Sequence, residues 1–252
     1  MTWLALALAF LGLAAGFVGT MLGIGGGVLI TPTLIVMGVE PHLAVSSALA
    51  AVTGTGIGGL YQFIRKRLVM VRLGLVLETT TACGAVFGSA IAIELSGWQV
   101  SILISAALAI AGTIVLLQPA PRGGGAGIGW RRVLAALPLC FVAGALSAMA
   151  GIGGGVLKMP ILLAVVGLDI RYALATSKMM ILITASTGLA NYVAHHTFDP
   201  CTAIPLAIGT FIGSTLSARL VTSLRRRTLK RISSLLYYVL SAVVLLKTLL
   251  SL

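Results

Sequence analysis

The chain is poor in charge and poorest in acid. Of its 252 residues only five are Asp or Glu, against 17 Lys or Arg, and charged residues make up 9% of the whole. Soluble domains carry about 25%, and this chain is 59% hydrophobic. Long apolar stretches with so few charges place it in the membrane class and exclude an ordinary soluble core. No polar segment is large enough to suggest an attached soluble domain.

Cysteine and histidine are equally sparse. Cys83, Cys140 and Cys201 are scattered and odd in number, with no CxxC and no Cys/His spacing. That argues against a disulfide framework or a zinc site, and the three read as small packing residues. His195 and His196 are adjacent, without an acid or thiol at metal-ligand spacing, so no metal is expected. No Ser/His/Asp array, paired carboxylate or phosphate-loop lysine is present, so enzyme chemistry and cofactors find no support. The net charge of +12 would suggest nucleic acid in a soluble protein. Here the basic residues sit in short loops between apolar runs, the pattern of cytoplasmic membrane loops, and no nucleic-acid partner is expected.

What the chain does have is apolar runs of membrane length. A helix needs about 20 apolar residues to cross the hydrocarbon. Long candidates fall at 3–22, 44–63, 73–93, 98–117, 133–150, 172–194, 201–221 and 233–251. The first has no basic residue before it and no clear cleavage site after it, so it reads as a mature membrane segment and not a signal peptide. Two shorter runs, 28–38 and 156–167, each follow a cluster of glycines.

Those clusters are copies of one element. MLGIGGGVLITP (Met21 to Pro32) returns as MAGIGGGVLKMP (Met149 to Pro160). Each glycine costs a helix about 1 kcal/mol relative to alanine, so the backbone itself has a task there. Other segments match as well. GVEPHLAVSS (38–47) resembles GLDIRYALATS (167–177) with one gap, and GAVFGS (84–89) resembles GTFIGS (209–214). The expected organisation is therefore two repeats, 1–121 and 122–252, forming one transport domain.

Charge decides how the repeats are oriented. If each glycine run merely kinks a helix, the loop cations divide seven and seven between the two sides of the membrane. If the chain reverses at each run, Arg65, Lys66, Arg67, Arg72, Arg122, Arg131, Arg132, Arg171, Arg219, Arg225, Arg226, Arg227, Lys230 and Arg231 all share one side. The opposite loops then hold Glu40, His42, Glu94, His195, His196 and Asp199. The positive-inside rule selects reversal. Equivalent loops also differ in charge: RKR at 65–67 answers HHTFD at 195–199. The expected fold class is an all-α polytopic membrane protein of two inverted-topology repeats, each with a glycine-rich break and a short helix. About ten segments are embedded, whether the short ones cross or are re-entrant. Secondary transporters place substrate at such repeat interfaces.

A glycine break before a short helix presents free N–H groups and the positive end of a helix dipole. An anion can approach such a backbone closely. Close helix packing is the competing explanation of glycine in membrane segments. Pro32 and Pro160 would shape the short helices by leaving a backbone acceptor unpaired.

The duplicated GIGGG…P element, the following SS and TS positions and the all-helical membrane character resemble the TauE/SafE family of sulfite exporters, over nearly the whole chain. The resemblance implies a secondary transporter, an exporter of a small sulfur-containing anion such as sulfite or an organosulfonate, multi-pass in the bacterial inner membrane. Its partners would be that anionic substrate and the lipid bilayer, with homo-oligomer formation left open. An anion channel, a permease for another small solute, or more remotely a membrane enzyme acting on a sulfur compound are the alternatives. The resemblance places Gly23, Gly25, Gly26 and Gly27, with Gly151, Gly153, Gly154 and Gly155, along the pathway. Ser46, Ser47, Thr176 and Ser177 follow, as donors to substrate oxygens or as hydroxyls bonded one turn back.

Three ionisable residues lie inside apolar runs, where charge is costly and usually functional. Lys178 and Lys158 are expected either to meet the anion or to snorkel to the surface. Glu78 is the proton-coupling candidate, unless it pairs with a lysine or with Arg72. Asn191 and Tyr192 are weaker polar candidates.

Overall fold

The computed structural model describes residues 2–92, 97–117, 129–149, 157–194 and 198–250. Among them lie ten helices. They are α1 (Thr2–Leu22), α2 (Gly27–Val36), α3 (Pro41–Arg65), α4 (Val71–Ala92), α5 (Gly97–Leu117), α6 (Trp130–Met149), α7 (Lys158–Ala164), α8 (Ile170–Ala194), α9 (Pro200–Ser223) and α10 (Arg226–Leu250). Four of these, α1, α3, α8 and α9, are long and apolar enough to cross a membrane among the described residues. The chain is a multi-pass membrane protein.

Helix ends follow local chemistry. Gly38, at φ 84°, ends α2, and the Val39 N–H returns to the Leu34 carbonyl. Arg67, at φ 52°, ends α3 in the same left-handed way. Asp199 caps α9, its carboxylate accepting from the Cys201 and Thr202 N–H groups at 3.1 Å each. The Thr202 hydroxyl donates to the same carboxylate and, with those N–H groups, holds it below the ordinary aspartate range. α10 begins at Arg226, seven residues before its expected apolar start at 233, because its basic first turns extend the helix beyond the apolar run.

Small residues let the long helices touch backbone to backbone, as membrane helices do without a hydrophobic drive between them. A Cβ on Gly16 of α1 would lie 2.4 Å from the Thr210 carbonyl oxygen of α9. A Cβ on Gly144 of α6 would lie 2.1 Å from that of Thr81 in α4. Gly213 meets the Leu13 carbonyl as Gly84 meets that of Phe141.

The contacts also give helix directions. Gly12 faces Leu206, Gly16 faces Thr210, and Thr20 bonds Ser214, so α1 and α9 run the same way. Gly54 faces Ala207 and Gly58 faces Phe211, so α3 runs with them. Leu49 meets Gly188 whereas Gly56 meets Leu182, so α8 runs opposite to α3. Met70 bonds Thr176, and Glu78 bonds Thr184, so α4 runs with α8. In α5 and α10, Gly112 faces Ser234 while the Ser105 carbonyl accepts from Ser241, so this pair is antiparallel.

One end of the molecule is consequently basic. The C-terminal end of α3 and the starts of α4, α8 and α10 meet there, tied by Arg171 to the Leu224 carbonyl (2.5 Å) and Arg226 to Asp169 (3.1 Å). Arg132, at the start of α6, reaches Gly167 at the same end. Of the loop cations named above, Arg122 lies outside the described residues, as do Glu94, His195 and His196. Glu40, His42 and Asp199 sit at the opposite end, where α3 and α9 begin.

Two stability outcomes follow from this packing. Gly144→Leu, with its Cβ blocked by backbone, is expected to abolish recovery of monodisperse protein, while Gly129→Ala, which meets nothing within 4 Å, is neutral in the same size-exclusion assay. Asp199→Ala is expected to cost about 1 kcal/mol, read as a lowered melting temperature. Because the folded-state carboxyl is depressed, that contribution is present above about pH 4 and is lost as pH falls through the folded value.

Candidate functional site

The glycine run after α1 turns the chain back on itself. Gly23, Gly25 and Gly26 have φ of 70°, 85° and 83°, a region open to glycine at little cost. A Cβ on Gly26 would lie 2.6 Å from the Ala15 carbonyl oxygen, and one on Gly19 would lie 2.2 Å from the Gly26 nitrogen. α2 therefore starts against the last turns of α1. The break lies inside the helix bundle, since Thr20 is level with Ser214, nine residues or about 14 Å of helix before the end of α9.

Breaking a helix exposes carbonyls at one end and N–H groups at the other. Four of the carbonyls here lie within hydrogen-bond reach of side chains. Ser233 donates to Met21 (3.0 Å) and Tyr237 to Leu22 (2.8 Å), both from α10. Ser177 of α8 reaches Gly23 (3.3 Å), and Thr55 of α3 reaches Gly25 (3.0 Å). The N–H groups of Gly23, Ile24 and Gly25 return to Thr20 and Gly19. Those of Gly26, Gly27 and Val28 find no acceptor among the described residues, although all three residues are buried.

Lys178 adds to this excess of donors. Its side chain is fully buried, 0% exposed, and does not snorkel. Nζ donates to the Thr20 hydroxyl at 3.0 Å, its sole partner among the described residues. The rest of the chain of hydrogen bonds has a forced order. Ser214 donates to the Thr55 carbonyl (2.6 Å), so its one proton is used. Thr20 must then donate to Ser214 (2.7 Å), and Lys178 to Thr20. An ammonium there keeps two N–H donors with no protein acceptor.

Lys158 is placed quite differently. Also 0% exposed, it lies against Glu78 (5% exposed), with Nζ 2.8 Å and 3.1 Å from the two carboxylate oxygens. It donates to Thr184 at 2.7 Å, and Thr184 also bonds the carboxylate. This is a closed ion pair linking α4, α7 and α8. Of the alternatives open for Glu78, the structure adopts pairing with a lysine, and Arg72 is exposed at the helix end.

The other hydroxyls divide. Ser177 touches the glycine break. Ser46 bonds one turn back to Leu43 (3.1 Å), and Thr176 accepts from the Met70 N–H (3.1 Å), anchoring the loop before α4. Ser47 is fully buried with no hydrogen-bond partner among the described residues. Gly151, Gly153, Gly154 and Gly155 lie outside the described residues, as does the side chain of Asn191. Thr20, Thr55, Thr184 and Ser214 were not legible as site residues. Their signal was only that each is a hydroxyl in an apolar run.

Comparison with known proteins agrees with this architecture. A family model described as "Sulfite exporter TauE/SafE" matches residues 8–244. The "Probable membrane transporter protein YunE" of Bacillus subtilis is 25% identical over 246 residues, covering 88% of this chain and 90% of its own. A "Probable membrane transporter protein" of Xylella fastidiosa is 29% identical over 216 residues, covering 83% and 82%. Matched along most of its length, the chain belongs to the TauE/SafE sulfite exporter family and is a membrane transporter, not an enzyme.

Proposed function

We propose that this transporter carries a small sulfur-containing oxyanion, such as sulfite or an organosulfonate, outward across the bacterial inner membrane. The observation that carries the reading is the one-sided donor set at the glycine break. Three backbone N–H groups and the spare donors of Lys178 are buried without an acceptor among the described residues, and the Met21 and Leu22 carbonyls are already occupied. A buried donor without an acceptor costs about 1–3 kcal/mol. An oxyanion offers several acceptors and a compensating charge at once. Gly23, Gly25, Gly26, Gly27, Ser177 and Lys178 form this first half of the site, with the orphan Ser47 hydroxyl available on α3. Gly151, Gly153, Gly154 and Gly155 are its proposed counterpart. Ser46, Thr176 and Lys158 hold the surrounding helices in place.

The two halves act as inverted repeats in this reading. Its support is directional. α3 runs opposite to its counterpart α8, and α4 opposite to α9. The α1–α9 contact at Gly16 and Gly213 has the same pattern as the α6–α4 contact at Gly144 and Gly84. Alternating access then consists of the halves rocking about the α3–α8 contact, where Val52 and Ile181 pack together.

Two experiments test this. Counterflow of radiolabelled sulfite in proteoliposomes is expected to saturate, to be competed by organosulfonates, and to fall roughly 10- to 100-fold in folded Lys178→Met, the cost of one charged hydrogen bond. Absence of any exchange overturns the substrate class, and flux linear in concentration points to a channel. Single cysteines replacing Lys66 and Arg227 in a cysteine-free background are expected to react from one face of the membrane, and one replacing Glu40 from the other. Labelling of Lys66 and Arg227 positions from opposite faces overturns the inversion.

A further inference from the structure

Two lysines are buried among the described residues, and only one has a counter-ion there. Lys158 is neutralised by Glu78 at 2.8 Å. Lys178 has neutral hydroxyls and glycines around it. α1 presents Thr20, α9 presents Ser214, and α3 presents Gly59, whose missing Cβ would sit 3.3 Å from the lysine Cε. The charged or titratable groups on the elements packed against α8 lie elsewhere. Glu78 of α4 and Lys158 of α7 are bound to each other at Thr184, six residues along α8. Tyr237 of α10 donates to the Leu22 carbonyl. The arginines of α3, α4 and α10 are at the basic end. A lone ammonium in this place, without an anion, is an uncompensated buried charge.

Resting on the anion-transporter reading, we propose that Lys178 is where anion and proton are bound together. In the empty site Lys178 is a neutral amine. It still donates one N–H to Thr20, as the forced order of hydroxyls requires, and its lone pair has no donor among the described residues. An arriving anion brings one proton from water: amine, proton and anion become an ammonium–anion pair, with no net charge added to the protein. Release of the anion returns the proton on the same side. Coupling thus passes through Lys178 rather than Glu78, which already holds a cation. Thr20 and Ser214 are positioning residues, since their fixed order of bonds leaves Thr20 only able to accept from Nζ.

The test follows the lysine directly. With 13C at lysine Cε, the five lysines of the chain give a small set of resonances, and Lys178→Arg assigns the one in question. In purified wild-type protein without anion, that resonance is expected to show a neutral amine within pH 6–9. Saturating methanesulfonate or sulfite is expected to return it to the charged form. Methanesulfonate affinity is then expected to weaken about tenfold per pH unit on the alkaline side, the penalty for a partly populated binding-competent state. Lys178→Arg, charged throughout, is expected to bind with no such slope. The joint variant Glu78→Gln/Lys158→Met, which removes both charges of the ion pair, is expected to keep it.

A resonance charged from pH 6 to 9 with and without anion overturns the inference, as does a pH slope that survives in Lys178→Arg. If sulfite counterflow saturates under those outcomes, the transporter reading stands and the coupling alone is wrong. If no anion alters the resonance and no counterflow is found, both fall together.

Discussion

Every backbone N–H and C=O inside a bilayer must find a partner within the protein, and the break at Gly23–Gly26 is where this protein meets that constraint unevenly. Carbonyls freed at the end of α1 are taken up by hydroxyls from α3, α8 and α10. Three helices are thereby fastened to one turn of chain. The donors freed at the start of α2 are not taken up. The same break thus makes a packing centre on its acceptor side and leaves donors without an acceptor among the described residues on the other.

Electrostatics repeats the division. Lys158 and Glu78 cancel each other in the core, and removing either alone would strand a buried charge, a loss of several kcal/mol. Lys178 lies on the same α8 stretch as Thr184, yet faces α1 and α9, where there is no acid. With five acidic residues in the chain, one is spent on the ion pair and the others, apart from Glu94, which lies outside the described residues, stand near helix ends. Scarcity of acid leaves Lys178 without a counter-ion among the described residues.

Much of the fold was legible because membrane length and glycine punctuation are local properties. The apolar runs correspond to the helices of the described residues within a few residues at most ends. α10 was the exception at its start, since a basic turn outside the apolar run adds no hydropathy. The site was half legible. Glycines and lysines are rare or costly in such helices and announce themselves, whereas Thr20 and Ser214 are common residues there, usually bonded one turn back.

The amino-acid sequence by itself determined that this is a helical membrane protein and that it carries a duplicated glycine element. Each of these rests on composition or spacing within one segment. Tertiary structure decided which lysine is paired and which is not. Glu78 and Lys158 are 80 residues apart, and Thr20 and Lys178 are 158 apart. Only the folding of α1, α8 and α9 against one another brings a hydroxyl chain to Lys178 while α4 and α7 carry the carboxylate to Lys158.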